Sequence, residues 1–463
     1  MVLWDIPLWI MLPYLFIMGA VVGSFLNVCI YRMPLHETVG ASWKSLLHPP
    51  SRCGHCFHPI PLKDNIPILG WFLLGGRCRF CRRSYSIRYA GIEFLNGLLF
   101  AFLYWCEVPA GFHATLSESC VYHELGPQGI VGSAWLSPAM MVNWRYLYHL
   151  VLVEMLVVAT FIDFDLQIIP DCITYPAIAV GVVGGAVLGQ MYLVPVWFER
   201  RDLSWQVNLL LQSFGLTSSA PWNPEKTGGW AFQGVWVPEW VHAHPHLHGL
   251  VVSLAGFAVG YGIVWGVRWL GTRVLKREAM GMGDAYLMAA VGAFLGWQGT
   301  LMAFFLAPVL ALGVVCVQLI FRKQREIPYG PYLSLATLLV IVGWKSLSPS
   351  AMRIFELGRL LPFFAVFMAI MLFVSLLLVQ GSKRLFGWDW EEEEVVEEWT
   401  SADQLTYQAS AKGEWQQGGW VVPGWPGPLT ARGEMSRQQW RDGPQIQRSN
   451  GWQQSWQRRG PGR

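Results

Sequence analysis

The sequence predicts an all-α polytopic membrane protein with about eight or nine transmembrane helices and a small four-cysteine segment inserted after the first of them. Three observations carry that expectation. Of the 463 residues, 53% are hydrophobic and only 14% are charged, against about 25% charged in ordinary soluble domains. Apolar runs close to the roughly 20 residues needed to cross a bilayer recur along most of the chain. Lys and Arg gather in particular connecting segments, the pattern of basic loops retained on the cytoplasmic side.

In chain order the apolar runs fall at 8–29, 91–105, 147–162, 173–194, 250–270, 285–297, 299–321, 331–348 and 359–380. The 285–297 run is short for a span. Residues 1–31 lack a basic n-region and an A-x-A-like site, so the first run is expected to stay as a helix. The domain organisation expected is a first helix over 1–31, a cytoplasmic segment over 32–90, helices over 91–194, an extracytoplasmic insert rich in Trp and Pro over 195–249, helices over 250–380, and a cytoplasmic tail over 381–463. Basic stretches at 32–90, "RWLGTRVLKR" and "FRKQR" set that orientation, whereas 106–146 holds a single Arg, Arg145. The tail opens with "WDWEEEEVVEEW", and its biased composition predicts a solvated segment without a fixed fold. The formal net charge of +3 says little in a polytopic chain. The lipid bilayer is the expected partner, and no nucleic acid is.

"SRCGHC" places Cys53 and Cys56 as one C-x-x-C pair, and "GRCRFC" places Cys78 and Cys81 as a second. Each pair can set two thiolates on one knuckle turn. Two knuckles complete a tetrahedral site without an open position, which predicts structural Zn2+ rather than a catalytic metal. A reducing cytoplasmic side argues against the disulfide alternative. His55 and His58 are competing ligands, though four sulfurs are the simpler set. Cys29, Cys172 and Cys316 lie in or beside apolar runs and read as packing residues.

Acids mark the next feature. "LVVATFIDFDLQIIPD" runs from an apolar segment into Asp163, Asp165 and Asp171, and an ionisable residue near membrane depth is a functional hypothesis by default. The plain alternative is that water reaches these groups in the interface. A second acid placed similarly shifts the balance: "KREAMGMGDAYLMAAVGAFLGW" sets Asp284 where a basic loop enters an apolar run. Gly281 and Gly283 precede it and permit close backbone approach. Two carboxylates brought together can share one proton and divide the roles of general base and general acid, the chemistry of an aspartyl protease. Helical spacing puts Asp163 and Asp165 about 200° apart, so both cannot face one partner. Pro170 ends or redirects the chain, which suits Asp171 to the turn or to a helix cap.

Six blocks in order, "GSFLNVCIYRMP", the two C-x-x-C pairs around "DNIPILGWFLLGGRCRFC", "SIRYAGIEFLNG", "DFDLQIIPD", "MGMGDAYLMAAVGAFLGW" and "EIPYGPYL", resemble the bacterial prepilin peptidases, also called type IV leader peptidases, within the GxGD intramembrane aspartyl proteases. The resemblance covers roughly residues 15–345. It implies an endopeptidase that removes a short basic leader from type IV prepilins and type II secretion pseudopilins, on the cytoplasmic side of the inner membrane and after a glycine. It also implies N-methylation of the new N-terminus with S-adenosylmethionine, the four-cysteine form accompanying the methylating branch. The catalytic pair carries over onto Asp163 and Asp284, and the zinc ligands onto Cys53, Cys56, Cys78 and Cys81; Gly281, Gly283, Asp165 and Pro170 are supporting residues. No residue is assigned to the methyl donor.

The chain departs from that pattern where Ala285 and Tyr286 follow the second Asp in place of a Phe-Lys pair, and in its insert and tail. Within the insert, "HAHPHLH" sets His242, His244, His246 and His248 in alternation; a histidine-rich interfacial loop is the stronger reading and a metal site the weaker. Cys106 and Cys120 fall on the expected oxidising side, where a disulfide is predicted. Two other classes compete: an ion-coupled transporter, whose acids would lie near the midplane of a repeat interface, and an inactive pilus-assembly scaffold, which would be expected to have lost an acid or a glycine of "GMGD".

Overall fold

The computed structural model describes residues 6–36, 38–47, 50–53, 56, 58–108, 138–189, 191–200, 212–215, 229–232, 235–238, 240–275, 280–320, 328–355 and 361–386. Its elements in chain order are α1 (Leu8–Arg32), α2 (Val39–Leu47), α3 (Leu69–Leu73), α4 (Arg88–Glu107), α5 (Pro138–Leu166), α6 (Asp171–Leu188), β1 (Glu199–Arg200), β2 (Gly229–Phe232), β3 (Val235–Pro238), α7 (Trp240–Ala243), α8 (Pro245–Leu275), α9 (Met282–Ile320), α10 (Gly330–Val342), α11 (Trp344–Phe355) and α12 (Leu361–Phe386). Among the described residues seven helices are long and apolar enough to cross a membrane, and Gly330–Val342 is a shorter apolar helix. One of the seven, α9, is two helices joined at Gly296 (φ 75°, ψ 173°). Among the described residues each apolar run of the sequence therefore falls at least in part on a helix, including the short one at 285–297. The 173–194 run is helical only to Leu188, because Gly189 turns the chain with φ 71°.

The insert departs from the all-α pattern locally. Its aromatic and β-branched stretches "GWAF" and "VWVP" form antiparallel strands in the order β1-β3-β2, as such residues favour on a pleated surface. The tail beyond residue 386 lies outside the described residues, as does Cys120.

The chain divides into two compact units. In the one containing Ile17–Leu98 and Phe161–Cys172, α1 meets α4 through buried amides. Asn96 Nδ2 donates to the Gly19 carbonyl at 3.0 Å, and Asn27 Nδ2 to that of Tyr89 at 3.1 Å. Gly23 permits this approach, since a Cβ there would lie 2.9 Å from Glu93 Cα. Cys29 and Cys172 are buried, as packing residues should be; the side chain of Cys316 lies outside those described. Trp43 Nε1 donates to the Cys172 carbonyl at 3.1 Å, tying α2 to the start of α6.

In the other unit, which contains Leu99–Thr160 and Ile173–Val395, α8 and α9 make the closest helix pair. Gly256 and Gly292 face each other so tightly that a Cβ on either would collide with the other's backbone, and Gly260 stands likewise against the Met288 carbonyl. Lipid supplies no hydrophobic drive between helices, so such pairs rest on close packing, which small residues permit. We expect Gly256→Leu to lower the thermal midpoint in detergent by an amount corresponding to about 1–3 kcal/mol. Gly262→Leu, on the same helix with nothing within 4 Å of its added Cβ, should leave it unchanged. Differential scanning fluorimetry of the two variants checks this.

Candidate metal centre and candidate active site

The two C-x-x-C pairs are built as matching hairpin knuckles. Cys53 N–H donates to the His58 carbonyl and Ile60 N–H to that of Ser51; Cys78 N–H donates to the Arg83 carbonyl and Tyr85 N–H to that of Gly76. Arg82 takes the left-handed conformation (φ 57°) that closes the second knuckle. The sulfurs converge: Cys53 to Cys81 is 3.8 Å, Cys56 to Cys78 is 3.9 Å, and all four lie within 4.8 Å of one another. Sulfurs held about 2.3 Å from a tetrahedral zinc stand about 3.8 Å apart, so the residues fit that ion. Burial pushes the Cys78 thiol up, but the backbone N–H groups of Cys81 and Phe80 donate to it and hold it down at about 7. Such donors favour the thiolate that a metal requires.

His58 does not join the cluster. Its ring packs on Phe80 with centroids 3.7 Å apart, bridging the knuckles, while His55 lies outside the described residues. Asp64 accepts two hydrogen bonds from Arg79, at 2.6 and 2.5 Å, and the guanidinium holds its carboxyl below the usual range. That pair fastens the second knuckle to the loop before α3.

Asp163 and Asp284 each occupy the terminal turn of an apolar helix. α5 continues to Leu166, one turn past the point where its apolar run ends. It closes with Gln167 in the left-handed region (φ 56°), whose N–H donates to the Asp163 carbonyl at 3.0 Å. That is a one-bond helix cap, and it places Asp163 three residues before the last helical position. Pro170 then separates α5 from α6, whose first residue is the exposed Asp171. Asp163 is 6% exposed. At the other site, Gly281 N–H bonds the Asp284 carboxylate, with Asp284 in the first turn of α9. This is the reciprocal half of a capping box, in which the third helical residue reaches back to the N-cap amide. "GMGD" thus encodes a helix start whose capping group is the acid itself. A Cβ on Gly281 would stand 3.6 Å from Asp284 Oδ2 with no other side chain nearby.

Asp165 has a separate occupation. Arg88, the first residue of α4, grips it with two bonds of 2.7 and 2.6 Å, donates to the Phe161 carbonyl at 3.4 Å, and lies over the Phe161 ring. This clamp fixes the last turns of α5, the part that carries Asp163, to the start of α4. Sequence reasoning missed Arg88, since 77 positions separate the partners. Other unforeseen groups are Arg268, whose Nη1 donates to the Met280 carbonyl at 2.7 Å and so brings a cation to the start of the "GMGD" loop, and Tyr329. Burial and then the charge of Asp284 push the Tyr329 phenol up to about 12. Ala285 is buried, and Tyr286 packs against Tyr175 and Tyr261. His149 Nδ1 and Glu107 Oε1 form a fully buried pair at 2.6 Å.

The described insert histidines do not converge. His248 is buried, accepts from Val196 N–H at 3.1 Å and packs on Tyr192 and Trp240; His246 Nδ1 bonds the Ala186 carbonyl. His244 is exposed, and the His242 side chain is not among those described. The four cysteines form the one cluster fit for a metal among the described residues.

Fold and sites define a multi-pass membrane protein with a four-thiol module fit for a metal and acids in the terminal turns of its helices. Residues 17–107 match the bacterial peptidase A24 N-terminal domain, and residues 232–317 match the type IV leader peptidase family. A prepilin leader peptidase/N-methyltransferase of Aeromonas hydrophila is 26% identical over 361 residues, 73% of this chain and 93% of that protein. A type 4 prepilin-like proteins leader peptide-processing enzyme of Escherichia coli is 28% identical over 70% of this chain and 90% of its own length. A prepilin leader peptidase/N-methyltransferase of Myxococcus xanthus is 30% identical over 62% of this chain and 57% of its own length. No solved structure matches. The two matched stretches follow one another in the chain, with the four cysteines in the first and Asp284 in the second.

The clamp makes a testable claim. Asp165→Asn and Arg88→Met should each lower the thermal midpoint, with a coupling of about 1–3 kcal/mol in the double-mutant cycle. Additive losses would show that the two side chains do not act as a pair.

Proposed function

We propose that the protein is a membrane-embedded aspartyl endopeptidase that cuts the leader from type IV prepilins and pseudopilins on the cytoplasmic side of the inner membrane after a glycine. It then N-methylates the new N-terminus with S-adenosylmethionine. The observation that carries this reading is the run of relatives bearing the peptidase/N-methyltransferase name aligned over about three quarters of the chain. Within it, Asp163 and Asp284 are the catalytic pair. One carboxylate takes a proton from water as its oxygen attacks the peptide carbonyl, and the other, protonated, polarises that carbonyl and supplies the proton for the leaving amine. Gly281 holds Asp284 by its N–H, and the absence of a Cβ there leaves the carboxylate open to an extended peptide. Asp165, committed to Arg88, takes no part in proton transfer. Pro170 sets the turn that follows the Asp163 helix.

The metal is zinc, because four thiolates in two closed knuckles suit its tetrahedral preference and leave no open position. When bound, it supplies a cross-link rather than chemistry. Cys53, Cys56, Cys78 and Cys81 hold it, and the Asp64–Arg79 pair braces the loop beside it.

Asp163→Asn and Asp284→Asn should each abolish cleavage of a prepilin carrying a Gly-Phe junction while leaving a folded protein, since removal of either acid leaves no pair to share the proton. Asp165→Asn should keep substantial cleavage per folded molecule. Cleavage read together with a methyl mass shift on the product tests both activities, and survival of cleavage in Asp284→Asn would end the aspartyl assignment.

Elemental analysis should find about one zinc per chain. Cys53→Ser and Cys78→Ser should each remove it and speed proteolysis between residues 50 and 87, because a structural site contributes folding energy directly. Metal-free protein with unchanged proteolysis would rule the site out.

A further inference from the structure

The metal-bearing segment presents an apolar face that is exposed among the described residues. α3 is a single turn, and Leu69, Phe72 and Leu73 stand at the three- and four-residue spacings that share one face. They are 57%, 61% and 75% exposed. The opposite side is anchored: Gly70 is buried against the Asp64 carbonyl, and Trp71 Nε1 donates to the Tyr85 carbonyl at 3.2 Å with its indole laid against Gly76. The turn cannot roll to hide its leucines without breaking that anchor.

Its position is set from a spanning helix. Ile68, just before α3, has φ 63° and ψ −58°, a backbone state that a β-branched residue reaches only under constraint. Two bonds of 2.6 Å supply the constraint: Leu69 N–H to the Pro67 carbonyl, and Ile68 N–H to Glu93 Oε2. Glu93 lies in the second turn of α4, so α3 is fastened where that helix enters the bilayer. On the helix to which α3 is thus tethered, the side chains of Phe94, Leu95 and Leu98 are themselves exposed, so α3 is fastened to a helix that presents apolar side chains outward. Around it the chain is basic. Residues 60–87 carry Lys63, Arg77, Arg79, Arg82 and Arg83, all exposed, with Asp64 the only acid and already bonded to Arg79.

We propose that α3 and the second knuckle form a lipid-docking surface, with Leu69, Phe72 and Leu73 inserted at the acyl boundary and Lys63, Arg77, Arg82 and Arg83 on anionic headgroups. The four-cysteine module is then a membrane-seated body rather than a free loop. An amphipathic surface of this kind binds through buried apolar area plus attraction to anionic lipid, and the second term is screened by salt. The inference rests on the membrane topology and not on the peptidase reading, so either can fail alone.

The test uses the full-length protein in nanodiscs of phosphatidylcholine alone or with about 30% phosphatidylglycerol, and follows trypsin cleavage after Arg77, Arg82 and Arg83. Cleavage should slow about tenfold in the anionic discs, and about 0.5 M NaCl should remove most of the difference. Leu69→Ser/Phe72→Ser/Leu73→Ser, with metal content confirming its fold, should be cut in anionic discs at nearly the rate seen in neutral ones. Equal rates for the native chain in both lipids would overturn the proposal whatever the variant does. Protection that appears only on adding a prepilin peptide would also overturn it, assigning the face to substrate.

Discussion

A hydrocarbon layer offers the backbone no hydrogen-bond partner, and that constraint shapes this protein throughout. Within the layer the chain is held to helices, whose N–H and C=O groups satisfy one another. Charged and polar groups are therefore favoured at the places where helices start and stop, because there backbone groups, charges and water are available together. Asp163 lies in a closing turn, Asp284 in an opening one, and Arg88 is the first residue of its helix. The thiol cluster occupies the stretch between two spanning helices. Asp163, Asp284 and Arg88 also take part in ending, starting or fastening their helices, through a cap or a clamp.

Glycine carries the complementary part of the design. With no water to drive apolar faces together, helices must approach until their backbones touch, and the α8–α9 seam does so at Gly256 and Gly292. At Gly281 the setting is different: an added Cβ would meet only Asp284 Oδ2, at 3.6 Å, and Gly283 N, at 4.0 Å. Lack of a Cβ thus accompanies tight backbone contact at one pair of glycines and open space at another.

Much of this was legible in the amino-acid order. Apolar run length gave the helices, because span thickness sets it directly. The cysteine pairs read true because a knuckle turn is local: both ligands and the bonds that shape it lie within a few residues. Asp284 was visible for the same reason, its supporting Gly281 being three positions away. Arg88 and Glu93 were not, because their partners are Asp165 and the Ile68 amide, and nothing in a linear pattern says which distant group a helix end will meet. The histidines of the insert show the opposite error risk. Their alternation suggested convergence, yet His248 and His246 turn to different neighbours, and the surrounding stretches pair as short strands.

The break at Gly296 has a consequence for how freely this chain can change over generations. Its φ and ψ lie in a region open essentially to glycine alone, and an added Cβ would stand 2.9 Å from Val252. The residues that follow are committed to the first residues of the insert: Trp297 Nε1 bonds the Val196 carbonyl and Gln298 Nε2 that of Pro195, both at 2.8 Å. Every replacement at 296 meets a backbone penalty and a collision together, and straightening the helix to escape them would pull two anchored side chains from their acceptors. The position has no neutral neighbours in sequence space. Pro195 and Val196 open the insert, so a substitution at 296 would be felt at the start of that segment as well as within the helix.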